Sequence, residues 1–341
     1  MLGCNYTQNR TQNRWFLLAV GAVVIGLLLS TCVSRIPKVY RVGILVGADT
    51  MSAAVDSFKA SMTELGYVEG KNITYDVQKS NADPAEEQRI SGKFAADKVD
   101  LVFAFPGQTA RSAKAALQGT NIPIVFANAV IEGTDLVDSV RSPGGNITGV
   151  RVPGTELTLK SFESLLEFTP RFERIMVIYD PNYSTTPSAL GALRSAALSS
   201  NVTLQEVHVT RVQDTQAVLQ GLEKSGDTTM DAIMLLQDTI PRSSEATGLI
   251  LKFADAHRVP VAGGPVALVR NGGVVLSVTS DVVEIGDLAA SLADEIFKGT
   301  PAGTIPVVSP QPRLYINYTK AQELGLTVPQ GLLKQATEII R

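Results

Sequence analysis

From residue 39 onward, short apolar runs alternate with segments whose apolar residues recur at helical spacing. In the first half, apolar runs predict strands at 39–46, 72–78, 99–105, 122–127 and 146–151. Between them, helical spacing predicts helices at 51–65, 83–96 and 108–118. The first helix ends at Gly66, a residue type that is common just after a helix.

The second half repeats this alternation. Strands are predicted at 174–179, 202–209, 231–236, 259–262, 273–278 and near 313–317. Helices are predicted at 185–199, 214–223, 243–256 and 281–297, followed by helical pieces at 319–324 and 329–340. Strands that alternate with helices indicate parallel sheets covered by helices on both faces.

The two halves resemble one unit used twice. RVGILVGAD near the start runs parallel to RIMVIYDPN, and VDLVFAF runs parallel to MDAIMLL further along each half. The order and spacing of the elements agree, although few residues are identical. We therefore predict an α/β chain with two doubly wound parallel-sheet lobes joined by a hinge, preceded by an apolar N-terminal segment.

Six polar loops follow the predicted strands at their carboxyl ends. They lie at 47–50, 106–109, 128–130, 180–185, 237–239 and 263–265. Ligands of open parallel sheets bind beyond the carboxyl ends of the strands. Two such edges that face each other would form one cleft, so the pattern predicts a binding architecture.

Composition and charge exclude several classes of protein. The 341 residues are 45% hydrophobic and 18% charged, with a net charge of −3. This is globular composition, and the sequence has no basic domain or stripe of the kind that binds nucleic acid. The two cysteines are Cys4 and Cys32, so the chain beyond them can form neither a disulfide nor a thiolate metal site.

The N-terminal segment, 1–38, contains the apolar run WFLLAVGAVVIGLLLSTCV at 15–33. Spanning a bilayer takes about 20 apolar residues. Three interpretations stay open: an uncleaved membrane anchor, a lipoprotein signal with Cys32 as the lipidated residue, and an ordinary cleaved signal. Each interpretation places the rest of the chain outside the cytoplasmic membrane.

Catalytic motifs of hydrolases, zinc proteases and nucleotide-binding proteins are absent from the sequence. The two histidines, His208 and His257, are interpreted as structural residues on a strand and at a helix end. Glu86 and Glu87 are interpreted as the solvated start of a helix. We therefore expect a protein that is not an enzyme and has neither a metal site nor a cofactor.

Helix starts at two of the loops suit a carboxylate, because free N–H groups and hydroxyls can receive an anion there. The residues at these starts are Gln108, Thr109, Ser184 and Thr185. Ordinary helix capping explains the same residues equally well.

Acidic and aromatic residues at the loops suit the rest of a small zwitterion. Asp180 and Asp238 end equivalent strands and can accept hydrogen bonds from an ammonium group, although turn formation also explains them. Phe105 and Tyr183 can stack on a flat ligand, and Phe105 also fits a core position. The remaining candidates, taken from the same loops, are Asp49, Asn128, Asn182 and Gly264.

Several motifs together resemble the tryptophan/tyrosine-type ABC-transporter substrate-binding proteins. They are GYVEGKNITYDVQ, NIPIVFA, SPGGNITGV and the C-terminal INYTKAQELGLTVPQGLLKQATEII, and the resemblance covers about 39–340. It implies a type I periplasmic-binding-protein fold and a small ligand, with aromatic amino acids the known case. It also implies a permease and an ATPase as partners, with the receptor itself performing no catalysis.

Carried over residue by residue, the resemblance places the ligand loops of this family at 106–109 and 180–182, with Asp238 the shared residue of a third loop. Two stretches depart from the family pattern, at 127–132 and 281–286. The second reads DVVEIG, where the family often shows a pair of tyrosines after the aspartate. The ligand can therefore differ from an aromatic amino acid.

Type I receptors cross between their lobes three times, which we place near 150–153, 278–281 and 305–309. Lobe 1 is then 39–151 plus 280–304, and lobe 2 is 152–279 plus 305–341. We expect an extracytoplasmic solute-binding protein of an ABC importer. The alternative is a membrane-tethered ligand-sensing module of the same fold.

Overall fold

The computed structural model describes residues 38–47, 52–168, 172–183, 185–236 and 243–341. The predicted segment 15–33 and its lipidation candidate Cys32 lie outside the described residues, as do the site candidates Asp49, Ser184 and Asp238. In the part of the chain that is described, no helix is long and apolar enough to cross a membrane. Residues Tyr40–Arg341 form one compact unit.

A five-stranded parallel sheet forms from the first half of this unit, in the order β2-β1-β3-β4-β5. Its strands are β1 (Tyr40–Val46), β2 (Ile73–Lys79), β3 (Leu101–Phe105), β4 (Ile124–Ala129) and β5 (Ile147–Arg151). Alternate residues of a strand point to opposite faces. Accordingly, Leu101, Phe103 and Phe105 join the core on one face and Val102 and Ala104 the core on the other.

Helices cover both faces of this first sheet. They are α1 (Ser52–Glu64), α2 (Pro84–Ala96) and α3 (Gly107–Ala116), joined later in the chain by α9 (Val282–Phe297). Residues of α1 and α9 build one core, and residues of α2 and α3 build the other. The sequence thus forms a doubly wound lobe because the strands are apolar on both sides.

A seven-stranded sheet forms from the second half, in the order β12-β11-β10-β9-β8-β6-β7. Its strands are β6 (Arg174–Tyr179), β7 (Thr203–His208), β8 (Ala232–Leu235), β9 (Val261–Gly263), β10 (Leu276–Ser280), β11 (Pro312–Asn317) and β12 (Glu338–Ile340). The helices are α4 (Gly154–Phe168), α5 (Thr186–Ser199), α6 (Val212–Ser225), α7 (Ser244–His257), α8 (Val266–Arg270), α10 (Tyr318–Glu323) and α11 (Gln330–Gln335). Two separate clusters of buried side chains lie on its two faces.

The C-terminal part of this sheet differs from the sequence prediction. β11 runs antiparallel to β10, so the sheet is mixed rather than purely parallel. The predicted helix at 329–340 ends at Gln335, and the chain then adds β12 beside β11. Helices α4 and α8 were not predicted from the sequence. The main prediction, two α/β lobes built on parallel strands, is confirmed.

Three segments connect the two sheets. β5 is followed almost at once by α4, and β10 by α9, which packs against the first sheet. The third connecting segment leads into β11. Upstream of it, the Val307 N–H donates to the Val140 carbonyl oxygen at 2.7 Å, and the Val308 N–H donates to the Gly149 carbonyl oxygen at 3.1 Å. The chain therefore follows the first sheet past Ile305, where the sequence places the start of the second lobe.

Helices α1 and α9 approach so closely that residue 286 has no room for a side chain. A Cβ on Gly286 would overlap Ser57 Oγ and the Ala54 carbonyl oxygen and would lie 2.9 Å from the Phe58 backbone nitrogen. We expect Gly286→Ala to lower the free energy of unfolding by about 1–3 kcal/mol, the usual cost of overpacking. Urea unfolding followed by circular dichroism measures this change.

The matched control is Gly191→Ala on α5, because Gly191 is also helical but exposed and has open space around its Cβ position. Alanine there should stabilise the protein by about 0.5–1 kcal/mol through helix propensity. Equal effects at the two positions would contradict the close packing of α1 against α9.

Candidate ligand-binding site at the carboxyl edges of the sheets

The carboxyl edges of both sheets lie next to the connecting segments. The chain leaves the first sheet from Arg151, the last residue of β5, and leaves the second sheet from Ser280, the last residue of β10. The third connection enters β11 at Pro312, which is paired with Ser280. Loops that follow the parallel strands therefore stand on the side where the two lobes are joined, as a binding cleft of this fold class requires.

At the first edge, the end of β1 packs directly against the start of α3. The Gly47 N–H donates to the Phe105 carbonyl oxygen at 2.8 Å. A Cβ on Gly47 would overlap Thr109 Oγ1 and would lie 3.0 Å from Pro106 Cδ. Glycine at position 47 therefore allows the two loops to approach each other.

Thr109 is buried, and its hydroxyl group is hydrogen-bonded within the protein. Its hydroxyl donates to Glu87 Oε1 at 2.7 Å, and the Ser80 hydroxyl approaches the same oxygen at 3.3 Å. Glu87 is only 1% exposed, so the prediction of a solvated helix start is wrong for this residue. It is correct for Glu86, which is partly exposed and makes an ion pair with Arg89 at 2.6 Å.

The other predicted ligand-binding residues at the carboxyl edge of the first sheet differ in their burial and contacts. Phe105 is completely buried, and its ring centroid lies 4.8 Å from that of Phe103, so it belongs to the core. Gln108 is exposed, and its side-chain oxygen accepts a hydrogen bond from Arg111. Asn128 is half-buried, with a positive φ of 51°, where β4 loses its regular register with β5. Of these three, Phe105 is therefore a core residue, whereas Gln108 and Asn128 keep exposed surface at this edge.

At the second edge, the loop after β6 leads into α5. Asp180 Oδ1 accepts a hydrogen bond from the Asn182 N–H at 2.9 Å, a turn that leaves Asn182 exposed and Tyr183 half-buried. Thr185 precedes α5, but its side chain makes no capping hydrogen bond. The Thr186 hydroxyl is buried and has no partner among the described residues. The described residues thus leave this helix start without a side-chain cap.

A polar cluster supports the strand that ends in this loop. The Tyr179 hydroxyl donates to Glu206 Oε2 at 2.7 Å, and Arg194 binds both oxygens of Glu206, each at 2.7 Å. Burial, followed by the bond to Glu206, raises the pKa of Tyr179 to about 12. The hydrogen bond from Arg194 lowers the pKa of Glu206. Tyr179 therefore stays neutral and Glu206 stays charged at neutral pH, which fixes the end of β6.

A buried hydrogen bond fixes the loop that follows β9. The Gly264 carbonyl oxygen accepts a hydrogen bond from the buried Ser277 hydroxyl at 2.6 Å. Gly263 and Gly264 both have positive φ, 92° and 78°, a conformation that glycine adopts without strain. A side chain at 264 would also crowd Leu268 Cδ1, at 3.0 Å. Gly264 thus shapes the edge through its backbone.

Ion pairs join the two lobes beside these edges, and sequence reasoning missed them. Arg313 of β11 lies 2.9 Å from Glu284 Oε2 and 3.2 Å from Asp281 Oδ2, at the start of α9. The Gln311 N–H donates to the other Glu284 oxygen at 2.9 Å. The hydrogen bond to Glu284 raises the pKa of Arg313. The opposite charges at 281, 284 and 313 are visible in the sequence. They come into contact only because β11 pairs antiparallel with β10.

A second polar contact lies at the first connection. Arg151 makes an ion pair with Glu132 and donates through Nε to Ser309 Oγ at 2.9 Å. Partly exposed ion pairs of this kind add little stability by themselves. They fix the relative geometry of the connecting segments. Within the described ranges, no group of three or more histidine, cysteine or acidic side chains is arranged to hold a metal ion.

A two-lobed α/β fold with polar carboxyl edges beside the connecting segments is typical of ligand-binding proteins. The model of the ABC transporter substrate binding protein family matches residues 40–340, and the chain belongs to this family. The resemblance seen in the sequence is therefore confirmed. This is a family of extracytoplasmic binding proteins rather than of enzymes.

Known proteins agree with this assignment. A "Tyrosine-binding protein" from Clostridioides difficile (strain R20291) is 27% identical over 268 residues, which cover 78% of this chain and 74% of that protein. A conserved domain protein from Vibrio cholerae has a TM-score of 0.73 and 26% identity, covering 89% of this chain and 100% of that chain.

A further solved structure shows the shared fold. It is an ABC domain from Streptococcus pneumonia in complex with L-Trp, with a TM-score of 0.74 and 21% identity, covering 89% of this chain and 100% of that chain. At this level of identity, the likeness is one of architecture.

Proposed function

We propose that the chain is the ligand receptor of an ABC importer and closes its two lobes on a small ligand, an amino acid. The observation that carries this proposal is the family match over 40–340. It is supported by polar edges on both sheets that meet the connecting segments. Hinge closure around a ligand is the usual motion of such receptors.

An aromatic amino acid is the best-supported ligand class. One relative is named a tyrosine-binding protein, and one structure of the same fold holds L-Trp. The ligand carboxylate is assigned to the start of α5 beside Thr185, because the Thr109 hydroxyl is engaged by Glu87. Asp180 and Asp238 are assigned to the ammonium group, and Tyr183 to the apolar part.

The lobes that close are then 39–151 plus 280–304 and 152–279 plus 305–341, apart from 305–308, whose hydrogen bonds to the first sheet assign them to the first lobe. A permease and an ATPase are the partners that this role requires. Residues 15–33 or a lipid on Cys32 would hold the receptor at the outer face of the cytoplasmic membrane.

Protease treatment of spheroplasts tests the location. Because the rest of the chain is proposed to face outward, lysine and arginine sites beyond Lys38 should be cleaved without lysis. Cys32→Ala should abolish lipid labelling if Cys32 is lipidated and should change nothing if 15–33 is a retained anchor. Protection of these sites until the cells are lysed would contradict the outward location.

Native mass spectrometry of protein purified without denaturation tests the proposed function. The proposal predicts a bound species with the mass of an amino acid, released when the protein is unfolded. A co-purified sugar or phosphate compound would contradict the ligand class. A sugar usually needs more aromatic platforms than the described loops provide, and a phosphate needs more fixed positive charge.

A further inference from the structure

Arg313 joins the two sheets of the molecule through a pair of acids. It lies in β11 of the second sheet, whereas Asp281 and Glu284 lie at the start of α9, which packs against the first sheet. Arg313 Nη2 donates to Glu284 Oε2 at 2.9 Å, and Arg313 Nη1 lies 3.2 Å from Asp281 Oδ2. One guanidinium group therefore spans two carboxylates across the connection between the sheets.

The other oxygen of each carboxylate is bound as well. Asp281 Oδ1 accepts a hydrogen bond from the Val283 N–H at 2.9 Å and thereby caps α9. Glu284 Oε1 accepts one from the Gln311 N–H at 2.9 Å, two residues before Arg313. Both carboxylates are thus held in one orientation. The cluster ties the second connecting segment, 280–281, to the third, 309–311.

The third connecting segment is also bound to the first. The Arg151 N–H donates to the Val308 carbonyl oxygen at 2.9 Å, and Arg151 Nε donates to Ser309 Oγ at 2.9 Å. Between Ser309 and Gln311 stands Pro310, whose ring fixes its φ angle. Few backbone positions of this segment are therefore free to rotate when one lobe moves against the other.

At this location, an ion pair can affect binding more than it affects folding. The three side chains of the cluster are 22–35% exposed, and partly exposed pairs of this kind add little to folding stability. A small change of angle at a hinge nevertheless displaces the far ends of the lobes by a large amount. If the lobes sample more arrangements, the binding-competent one is a smaller fraction, and the apparent dissociation constant rises in proportion.

We propose that Arg313 is a positioning residue for ligand binding, which holds the second and third connecting segments together and restricts the lobes to rotation about one axis. This inference rests on the proposed function, in which the lobes close on a ligand. Arg313 exerts this effect without touching the ligand. A guanidinium group suits the role because its planar fork reaches two carboxylates at once, whereas a lysine ammonium group is a point charge.

Distance measurements between the lobes by pulsed electron paramagnetic resonance test this role without a ligand. The native cysteines at positions 4 and 32 are first replaced by serine. Spin labels are then attached at Ala115→Cys on α3 and Leu198→Cys on α5, two exposed positions. The parent protein should give one narrow distance distribution. Arg313→Ala should broaden it beyond the scatter between repeat measurements, and so should Glu284→Gln, which removes the negative charge.

Calorimetry with L-tyrosine or L-tryptophan gives the second measurement. Arg313→Ala should weaken binding about fivefold or more, the lower end of the usual coupling between distant sites. Arg313→Lys keeps the charge but loses the fork and should fall between the parent and the alanine variant. The matched control is Asp255→Ala, because Asp255 pairs with Lys320 at 2.6 Å between two helices of the second lobe. This control should change neither the distance distribution nor the affinity.

The two measurements separate this inference from the proposed function. A folded Arg313→Ala variant that keeps the narrow distribution, or that binds as tightly as the parent, overturns the positioning role and leaves the proposed function standing. If Arg313→Ala does not fold, Glu284→Gln decides by the same two criteria. Failure of the parent protein to bind either amino acid contradicts the proposed function, and the widths of the distance distributions still decide whether Arg313 restricts the lobes.

Discussion

Phe103→Ala should lower the free energy of unfolding by about 3–5 kcal/mol, the usual range when a buried phenylalanine is truncated to alanine. Phe103 is completely buried in the centre of the first sheet. Its ring stacks on Phe58 of α1 with a centroid distance of 4.5 Å and lies 4.8 Å from the Phe105 ring. The loss therefore combines reduced burial with a cavity between β3 and α1. Urea unfolding measures it.

Leu198→Ala is the matched control for this core prediction. Leu198 is also a large apolar residue but is 80% exposed on α5. Its truncation should change the unfolding free energy by less than about 0.5 kcal/mol. Phe103→Leu, which retains most of the apolar volume, should fall between the two. A Phe103→Ala cost as small as that at Leu198 would contradict the packing of α1 on the first sheet.

Removing an acidic partner of the ligand should weaken binding roughly ten- to hundredfold. The proposed partners are Asp180, which follows β6, and Asp238, which follows β8 three residues beyond its last residue, Leu235. A hydrogen bond to a charged group contributes about 1.5–3 kcal/mol, which corresponds to this change in dissociation constant. Calorimetry on Asp180→Ala and Asp238→Ala with a panel of amino acids measures the effect.

Asp255→Ala provides the control for that measurement. Asp255 lies near the end of α7, away from the carboxyl edge, and makes an exposed ion pair with Lys320 at 2.6 Å. Asp255→Ala should not change the affinity for the ligand. If neither Asp180→Ala nor Asp238→Ala weakens a ligand that the parent protein binds, the assignment of the ammonium group to these residues is wrong, and the receptor function itself is unaffected.

Much of the fold could be predicted because its parallel strands are apolar on both faces. The β6 residues Arg174–Tyr179 occupy the positions predicted from the run RIMVIY. The prediction failed where the signal was weaker. Residues 329–340 contain apolar residues at spacings that fit a helix, but the chain after Gln335 pairs with β11 instead. Whether the chain after Gln335 forms a helix or a strand depends on its pairing with β11, which local spacing does not reveal.

The candidate site was less predictable, since position in a loop does not determine what a side chain contacts. Thr109 was expected to face a ligand but binds Glu87. A signal for Glu87 was nevertheless present. In α2, Glu87, Ile90 and Phe94 recur at helical spacing and are all buried, so the acid lies on the inner face of the helix. The periodicity of α2 therefore contained this information, whereas the hydroxyl partners required the structure.

Isothermal titration calorimetry of the parent protein with L-tyrosine, L-tryptophan and myo-inositol tests whether this receptor binds an amino acid. We expect saturable one-to-one binding of at least one of the two amino acids and no binding of the polyol. A negative heat-capacity change should accompany binding, because closure buries apolar surface of the ligand. Binding of myo-inositol with no response to either amino acid would contradict the proposed ligand class.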